Sequence, residues 1–404
     1  MPTRSEWLRS GEVAGAVALF GLVFAIYLLD DQTVASGPVL AGLAVTAASF
    51  SVPSAVRTWP PARTAWLYVT YVVALLIVWR ARPTALASAE VGRQLLFLNT
   101  LFATASLAST RRLGPALVAA HLIGLALVLF QIPGPRSGVD HLGRAAFYHA
   151  LEQWSGYPEI GLLMSLGGSA TVALALSEPR VGVRVAAAVL ALTFGGATIF
   201  LQSRSAVIAI GIVAVWLTTI AFVKWRSRTA IVAAVALAAG IAWFAARGPT
   251  AAETVQRASG TFSRETGIRA LGWKTGSEMF REHPFLGVGL GRYPEEYKAR
   301  DVGTDSTHAY NIVIHVAAET GLVGLVPYLI LWGRVLWVSL RKSGRDRTGP
   351  AAFAVHAMLL GFFVRSQSEH FLANLETSFR LLLLLGTLFG LAEGLPAKRD
   401  SRAD

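Results

Sequence analysis

Continuous apolar runs recur along the whole chain, and they constrain its fold more than any other feature. Each run is roughly 17 to 20 residues long, about the length that crosses the ~30 Å hydrocarbon core of a bilayer. The 404 residues are 54% hydrophobic and only 15% charged, whereas soluble domains average about 25% charged. Because the runs do not alternate with a period of two, they predict helices rather than a β-barrel. We therefore predict an all-α polytopic membrane protein, one integral membrane domain over residues 1–404.

About twelve transmembrane helices follow from these runs. Arg and Lys concentrate in the turns after even-numbered spans, whereas the first external turn holds Asp30 and Asp31. Since cytoplasmic loops are enriched in Arg and Lys, both termini are predicted to be cytoplasmic. The net charge of +12 is spread over short loops, so topology explains it without a nucleic-acid partner. The predicted spans are 13–29, 33–51, 63–79, 92–108, 113–131, 159–177, 182–201, 205–223, 229–246, 309–338, 351–366 and 377–393.

The segment 247–308, between spans nine and ten, is too long for a plain connector. We predict that it folds as an external cap over the outer mouth of the bundle. Within it, residues 268–282 have a helical pattern that Pro284 ends. The pattern places four side chains on one stripe of this helix: Ala270, Trp273, Ser277 and Phe280.

A glycine-rich turn with the spacing Gly287-x-Gly289-x-Gly291 follows that helix. The spacing resembles a nucleotide-binding loop, but no predicted strand precedes it and no βαβ unit surrounds it. We expect instead that the glycines let the backbone approach a neighbour or a ligand closely.

Span ten begins with a polar stripe on an otherwise apolar helix. Its members, spaced by three or four residues, are His308, Asn311, His315 and Glu319. Gly321, Gly324 and Pro327 then predict a bent or half-inserted helix. Ionisable groups at membrane depth usually face a cavity and mark function. For His315 and Glu319 we favour mutual pairing within the bundle, and for His308, at the mouth, a functional role.

Two arginines belong to the same predicted outer site. Arg204 lies in the short turn between spans seven and eight, and Arg269 lies one helical turn before Trp273 in the cap. The guanidinium of arginine can donate two hydrogen bonds to phosphate oxygens. Histidine can accept a proton from an attacking hydroxyl. The chain has no cysteine and no cluster with clear metal-ligand spacing. These residues suit a pyrophosphate-linked substrate, with no metal and no other cofactor.

The external turn after span three breaks the charge rule because it is rich in arginine. Such arginines can simply extend to lipid headgroups. Because several lie close together, we favour a site that binds an anion on the external side. The residues that could steer the phosphates of a donor from the rim are Arg80, Arg82, Arg93, Arg136 and Arg144.

Three motifs in the second half of the chain resemble those of the O-antigen ligase/O-antigen polymerase superfamily of integral membrane glycosyltransferases. They are QSRSA at 202–206, R-x3-W with HPFLGVGLGRY at 269–293, and YNIVIHVAAETGLVGL at 310–325. The resemblance implies metal-independent, inverting transfer of a glycan from undecaprenyl pyrophosphate at the external face of the inner membrane. The implied acceptor is lipid A–core for a ligase and another lipid-linked repeat unit for a polymerase. Arg204 and Arg269 match the two functional arginines of the family.

One departure from the family pattern concerns the base. The family places a histidine directly before the asparagine at the position of Asn311, where this chain has Tyr310. His308 is then the surviving histidine and the candidate base, unless this branch uses another base or another acceptor. The candidate catalytic residues are His308, Arg269 and Arg204, and the candidate substrate-binding residues are Tyr310, Asn311, Trp273, Arg264, Arg80, Arg82 and Arg136.

Two other classes of function remain as alternatives. A metal-dependent lipid-phosphate-sugar glycosyltransferase would use an acid in the first external loop, where Asp30 and Asp31 lie, although acids there are also ordinary topology. A transporter of a lipid-linked anion would use the arginines as a binding site. Transporters usually contain internal repeats, and the sequence shows no such symmetry.

Overall fold

The computed structural model describes residues 62–108, 157–200, 204–225, 251–300, 306–344 and 349–367, with a few isolated positions besides. Every regular element in these ranges is a helix, as the sequence predicts. The helices are α1 (Ala62–Ala81), α2 (Ala85–Ala108), α3 (Tyr157–Ser177), α4 (Val181–Phe200), α5 (Arg204–Trp225), α6 (Ala251–Glu282), α7 (Tyr293–Ala299), α8 (Ile312–Lys342) and α9 (Gly349–Arg365).

Several predictions fall outside these residues. They are the spans 13–29, 33–51 and 229–246, nearly all of 113–131 and 377–393, and the residues Asp30, Asp31, Arg136 and Arg144. The twelve-span count and the external position of the cap therefore stay predictions.

Three of the described helices are long and apolar enough to cross a membrane. The stretches are Val181–Thr198 in α4, Ala206–Trp225 in α5 and Ile312–Lys342, which is all of α8. Large apolar side chains of α4, such as Leu192 at 77% exposure, point away from the rest of the bundle. An apolar surface of this kind is suited to lipid. The all-α class is thus confirmed for the described residues, with three candidate membrane spans among them.

Helix α3 lies at the centre of the described bundle, in contact with α4, α5 and α9. It is apolar on all sides, which is typical of a buried helix. Its hydroxyl groups bond within the helix, as where Ser169 donates to the Ser165 carbonyl at 2.7 Å. A Cβ on Gly361 of α9 would lie 3.1 Å from the Ser169 hydroxyl. Close packing of α9 on α3 therefore depends on a small residue.

Contacts along α5, α8 and α9 bring three helix termini to one end of the bundle. Trp216 of α5 donates its indole N–H to His356 of α9 at 2.9 Å, and a Cβ on Gly361 would lie 3.6 Å from a Val213 methyl. The two helices are therefore antiparallel, and α5 begins where α9 ends. There, Ile312 N–H of α8 donates to the Ser366 carbonyl at 3.0 Å. We call this end of the bundle the site end.

Helix α6 packs its last turns against the start of α8, with a face different from the predicted one. Ala270 and Trp273 of the predicted stripe are exposed. A Cβ on Gly276 would lie 2.8 Å from a methyl of Ile314, so the helices approach closely at a glycine. Hydrophobic periodicity misses this face because glycines contribute contact without apolar side chains. The buried residues of the packing face are Gly272, Thr275, Gly276 and Met279.

Candidate functional site

A break at Gly321 divides α8 into two segments. Gly321 has φ 59° and ψ −159°, outside the helical region, which confirms the predicted bend. A broken helix leaves carbonyl and N–H groups without their intrahelical partners. At membrane depth each such group costs several kcal/mol unless another protein group satisfies it.

The loop at residues 283–292, here called the glycine loop, satisfies the carbonyls at the break. Val288 N–H donates to the Ala318 carbonyl at 2.8 Å. Gly289 N–H donates to the Glu319 carbonyl at 3.0 Å. The last carbonyls of the first segment of α8 are thus paired with backbone from the cap.

The same loop satisfies the N–H groups on the other side of the break. Leu322 N–H donates to the Pro284 carbonyl at 2.8 Å. Val323 N–H donates to the Phe285 carbonyl at 3.1 Å. The glycine loop therefore takes the place of the missing helical turn, and it fixes the cap to α8 from both sides.

The glycines of the loop are needed for this close approach. Gly287, Gly289 and Gly291 all have positive φ, at 65°, 110° and 70°. A Cβ on Gly287 would overlap the backbone of Glu319. At Gly287 the predicted close approach of the backbone is confirmed, and the neighbour is α8.

Glu319 also anchors the glycine loop through its side chain. Its carboxylate accepts a hydrogen bond from Tyr293 N–H at 3.2 Å and another from the Gly291 N–H. His315 Nε2 lies 3.7 Å from the second carboxylate oxygen, and both side chains are buried. The predicted pairing of the two residues is present, but sequence reasoning missed the bonds to the start of α7.

Arg82, just past the end of α1, binds the glycine loop. Its guanidinium donates to the Val288 carbonyl at 2.9 Å and lies 3.4 Å from His283 Nδ1. Arg93 forms an ion pair with Glu90 at 2.6 Å. Two of the three arginines predicted as an anion-binding group therefore have protein partners in the fold, and Arg80, the third, is exposed.

Asn311 caps the first turn of α8. Its side-chain oxygen accepts from Val313 N–H at 2.9 Å and from Ile314 N–H at 3.1 Å. Its amide nitrogen donates to Gln367 at 2.8 Å. The residue predicted to bind substrate therefore orders the turn before α8. Gln367 was missed, although a polar Arg-Ser-Gln run directly after an apolar helix could have indicated it.

The turn before α8 meets the cap helix at two aromatic residues. The Trp273 indole N–H donates to the Tyr310 carbonyl at 3.3 Å. The rings of His308 and Tyr310 lie 4.5 Å apart, centroid to centroid. Arg269 lies one turn before Trp273 in α6 and is half-buried. The structure thus brings the predicted His308, Tyr310 and the Arg269–Trp273 segment together.

Arg204 is the first residue of α5, so its backbone lies at the site end. Its side chain and that of Arg264 lie outside the described part of the structure, as does all of Arg136. In the ranges that the structure describes, no group of three or more His, Asp or Glu side chains could hold a metal ion. The metal-free mechanism stays a prediction for an assay to test.

A known protein family matches the part of the chain that contains this arrangement. Residues 186–329 match the profile of a family described as O-antigen ligase. The matched range runs from α4 into α8, and it includes Arg204, Arg269, His308, the glycine loop and the break at Gly321. No curated protein matches the chain significantly. Over residues 186–329 the resemblance to the O-antigen ligase superfamily is therefore confirmed.

Proposed function

We propose that this protein is a membrane glycosyltransferase of the O-antigen ligase type. It transfers a glycan from undecaprenyl pyrophosphate to lipid A–core, or to another surface acceptor, without a metal. The observation that carries the proposal is the junction between Trp273 and Tyr310, a 3.3 Å hydrogen bond. This bond brings the segment with a candidate phosphate-binding arginine against the turn with the candidate base, inside the matched domain.

In the proposed reaction, an acceptor hydroxyl attacks the anomeric carbon of the donor sugar. Its oxygen forms the new glycosidic bond while the bond to the phosphate oxygen breaks, and undecaprenyl pyrophosphate leaves. Arg204 and Arg269 bind the pyrophosphate and stabilise the negative charge that develops on it. His308 accepts the proton of the attacking hydroxyl.

A neighbouring hydroxyl can set the tautomer of His308. Its Nδ1 lies 3.0 Å from the Thr307 hydroxyl. When Nδ1 carries the proton and donates it to that hydroxyl, Nε2 is the basic nitrogen of the ring. The Tyr310 ring packs against the same imidazole, with 4.5 Å between the centroids, and we propose that it lines the site.

The contacts at the site end also support the proposed topology of twelve spans with cytoplasmic termini. In that topology α1 and α9 end outside, and α5 and α8 begin outside. The end of α1 meets the cap through Arg82, and the other three termini converge near Ser366. Positive-inside counting places this shared end outside. We propose that residues 247–308 form the cap over the active site there.

A polymerase is the second candidate, because the same site could take another lipid-linked repeat unit as acceptor. The test is transfer by purified protein in EDTA, with undecaprenyl-pyrophosphate glycan as donor and with lipid A–core present or omitted. A single product that requires lipid A–core establishes a ligase, and a ladder without it establishes a polymerase. If product forms only after Mg²⁺ or Mn²⁺ is added, a metal-dependent glycosyltransferase that uses Asp30 or Asp31 is favoured instead. Flipping of the donor without any transfer would favour the transporter.

A further inference from the structure

Tyr310 has a backbone conformation that side chains rarely adopt. Its φ is 53°, and it is the one non-glycine residue with positive φ in the part of the chain that the structure describes. The left-handed region is costly for a residue with a Cβ, and glycine or asparagine would occupy it more easily. Strain of this kind persists where the surroundings impose it, and it is a pointer to function.

The contacts around Tyr310 hold its ring in one place. A Cβ on Gly272 would lie 3.0 Å from Tyr310 Cδ2, so the ring lies directly on a glycine of α6. The centroid of the His308 ring lies 4.5 Å from that of Tyr310, and the Trp273 indole N–H donates to the Tyr310 carbonyl. The fold therefore accepts a strained backbone at this position and keeps an aromatic ring there.

The two aromatic residues are also accessible. Trp273 is 40% exposed although it belongs to a helix that packs on the bundle, and Tyr310 is half-buried. Exposed, rigid aromatic rings with a polar atom at the edge are common in binding surfaces, because they offer large apolar faces at little entropic cost. The apolar C–H face of a sugar ring is a ligand that such a surface fits.

We propose that Trp273 and Tyr310 form a platform for the donor sugar that is bonded to the pyrophosphate. This inference rests on the proposed function. Arg269 precedes Trp273 by four residues, about 6 Å along a helix axis. A sugar attached to a phosphate at Arg269 therefore reaches Trp273, and the adjacent His308 lies near its anomeric carbon. The acceptor approaches from the opposite side and does not use the platform.

Paired variants test the platform through donor and acceptor KM, kcat and thermal midpoint. Tyr310→Gly removes both the backbone strain and the ring. We therefore expect an unchanged or higher thermal midpoint, and a donor KM that is raised about tenfold, or 1.4 kcal/mol. Trp273→Ala should raise the donor KM similarly. Tyr310→Phe keeps the ring and the backbone contacts, and its donor KM should stay within about threefold of wild type, or 0.7 kcal/mol. Acceptor KM should stay constant throughout.

Wild-type donor KM in both Tyr310→Gly and Trp273→Ala would overturn the platform, as would a rise in acceptor KM alone. Saturation-transfer NMR in detergent measures binding of the free donor oligosaccharide without transfer. It therefore distinguishes failure of the platform from failure of the proposed enzyme activity. Signal that is lost in Trp273→Ala but kept in Arg269→Ala supports the platform even if wild type transfers nothing. Transfer by wild type, with equal NMR signal in all variants, would leave the enzyme proposal intact and reject the platform.

Discussion

Gly287 and Gly321 lie on opposite sides of one junction, and each leaves room for the other's segment. Both have positive φ, at 65° and 59°. A Cβ on Gly287 would overlap the Glu319 backbone, and a Cβ on Gly321 would overlap Phe285. The glycine loop and the broken helix, which are separate motifs in the sequence, are therefore one structural unit that fixes the cap helix at the site.

The first prediction concerns these glycines. Gly321→Ala should destabilise the protein by at least about 2 kcal/mol, because it adds left-handed strain to a steric overlap. Gly333→Ala is a matched control in the same helix, since nothing lies within 4 Å of its added Cβ. It should leave the thermal midpoint in detergent unchanged or slightly higher. Equal midpoints for the two variants would contradict docking of the loop in the break.

Arg269→Ala should lower the transfer rate by about 10²-fold or more while the protein stays folded, because a donor to the leaving pyrophosphate is lost. Arg269→Lys should also be slow, since lysine cannot bind two phosphate oxygens in a fork. Arg281→Ala, an exposed cation of the same helix, is the control and should transfer normally. The measurement is the initial rate at saturating acceptor. Normal turnover in Arg269→Ala would remove the phosphate-binding role.

Substitutions of Glu319 separate an anchoring role from a chemical one. Glu319→Gln keeps an oxygen that can accept from Tyr293 N–H, so we expect near-normal stability and activity. Glu319→Ala leaves buried N–H groups of the loop without their acceptor, at a cost of about 1–3 kcal/mol each. Thermal midpoints and transfer rates are measured together. A stable but inactive Glu319→Gln would show that the carboxylate takes part in the reaction.

Arg82 and Arg80 form a natural pair for testing the outer support of the loop. Arg82→Ala removes the charged donor to the Val288 carbonyl, and we expect a loss of about 1–2 kcal/mol in stability. The exposed neighbour Arg80 serves as the control, and Arg80→Ala should change stability by less than about 0.5 kcal/mol. If instead both variants are stable and both raise the donor KM, the predicted role in steering phosphates is supported.

Asn311 can be tested as a helix cap. Asn311→Ala should cost about 1 kcal/mol, because two N–H groups of the first turn lose their acceptor. Asn311→Asp keeps that acceptor and should recover most of the stability, which denaturation in detergent would measure. An Asn311→Ala variant with unchanged stability and no transfer would favour the substrate contact that the sequence predicts.

The helices were largely predictable, because apolar length is read directly from the sequence. The predicted span 182–201 compares with Val181–Phe200 in the structure, and 205–223 compares with Arg204–Trp225. α2 starts at Ala85 instead of 92, where Thr84 accepts from Ala87 N–H. The predicted span begins later because Ser88 and Glu90 interrupt the apolar run in this part of the helix.

The parts of the site that could not be predicted depend on long-range backbone contacts. Val288 and Ala318 are joined by a hydrogen bond between main-chain atoms, and no side-chain pattern encodes such a bond. The packing face of α6 was also missed, since it is built around Gly272 and Gly276 rather than an apolar stripe. The pair His315 and Glu319 was foreseen because spacing along one helix is visible in sequence.

The break in α8 also sets an order for biogenesis. Gly321 follows Gly287 by 34 positions (321 − 287), so the loop leaves the ribosome before the helix that receives it. The unpaired groups of that helix are costly in lipid until the loop reaches them. We therefore expect membrane insertion of α8 to be coupled to docking of the loop, and a chain that lacks residues 283–292 to stall at this step of assembly.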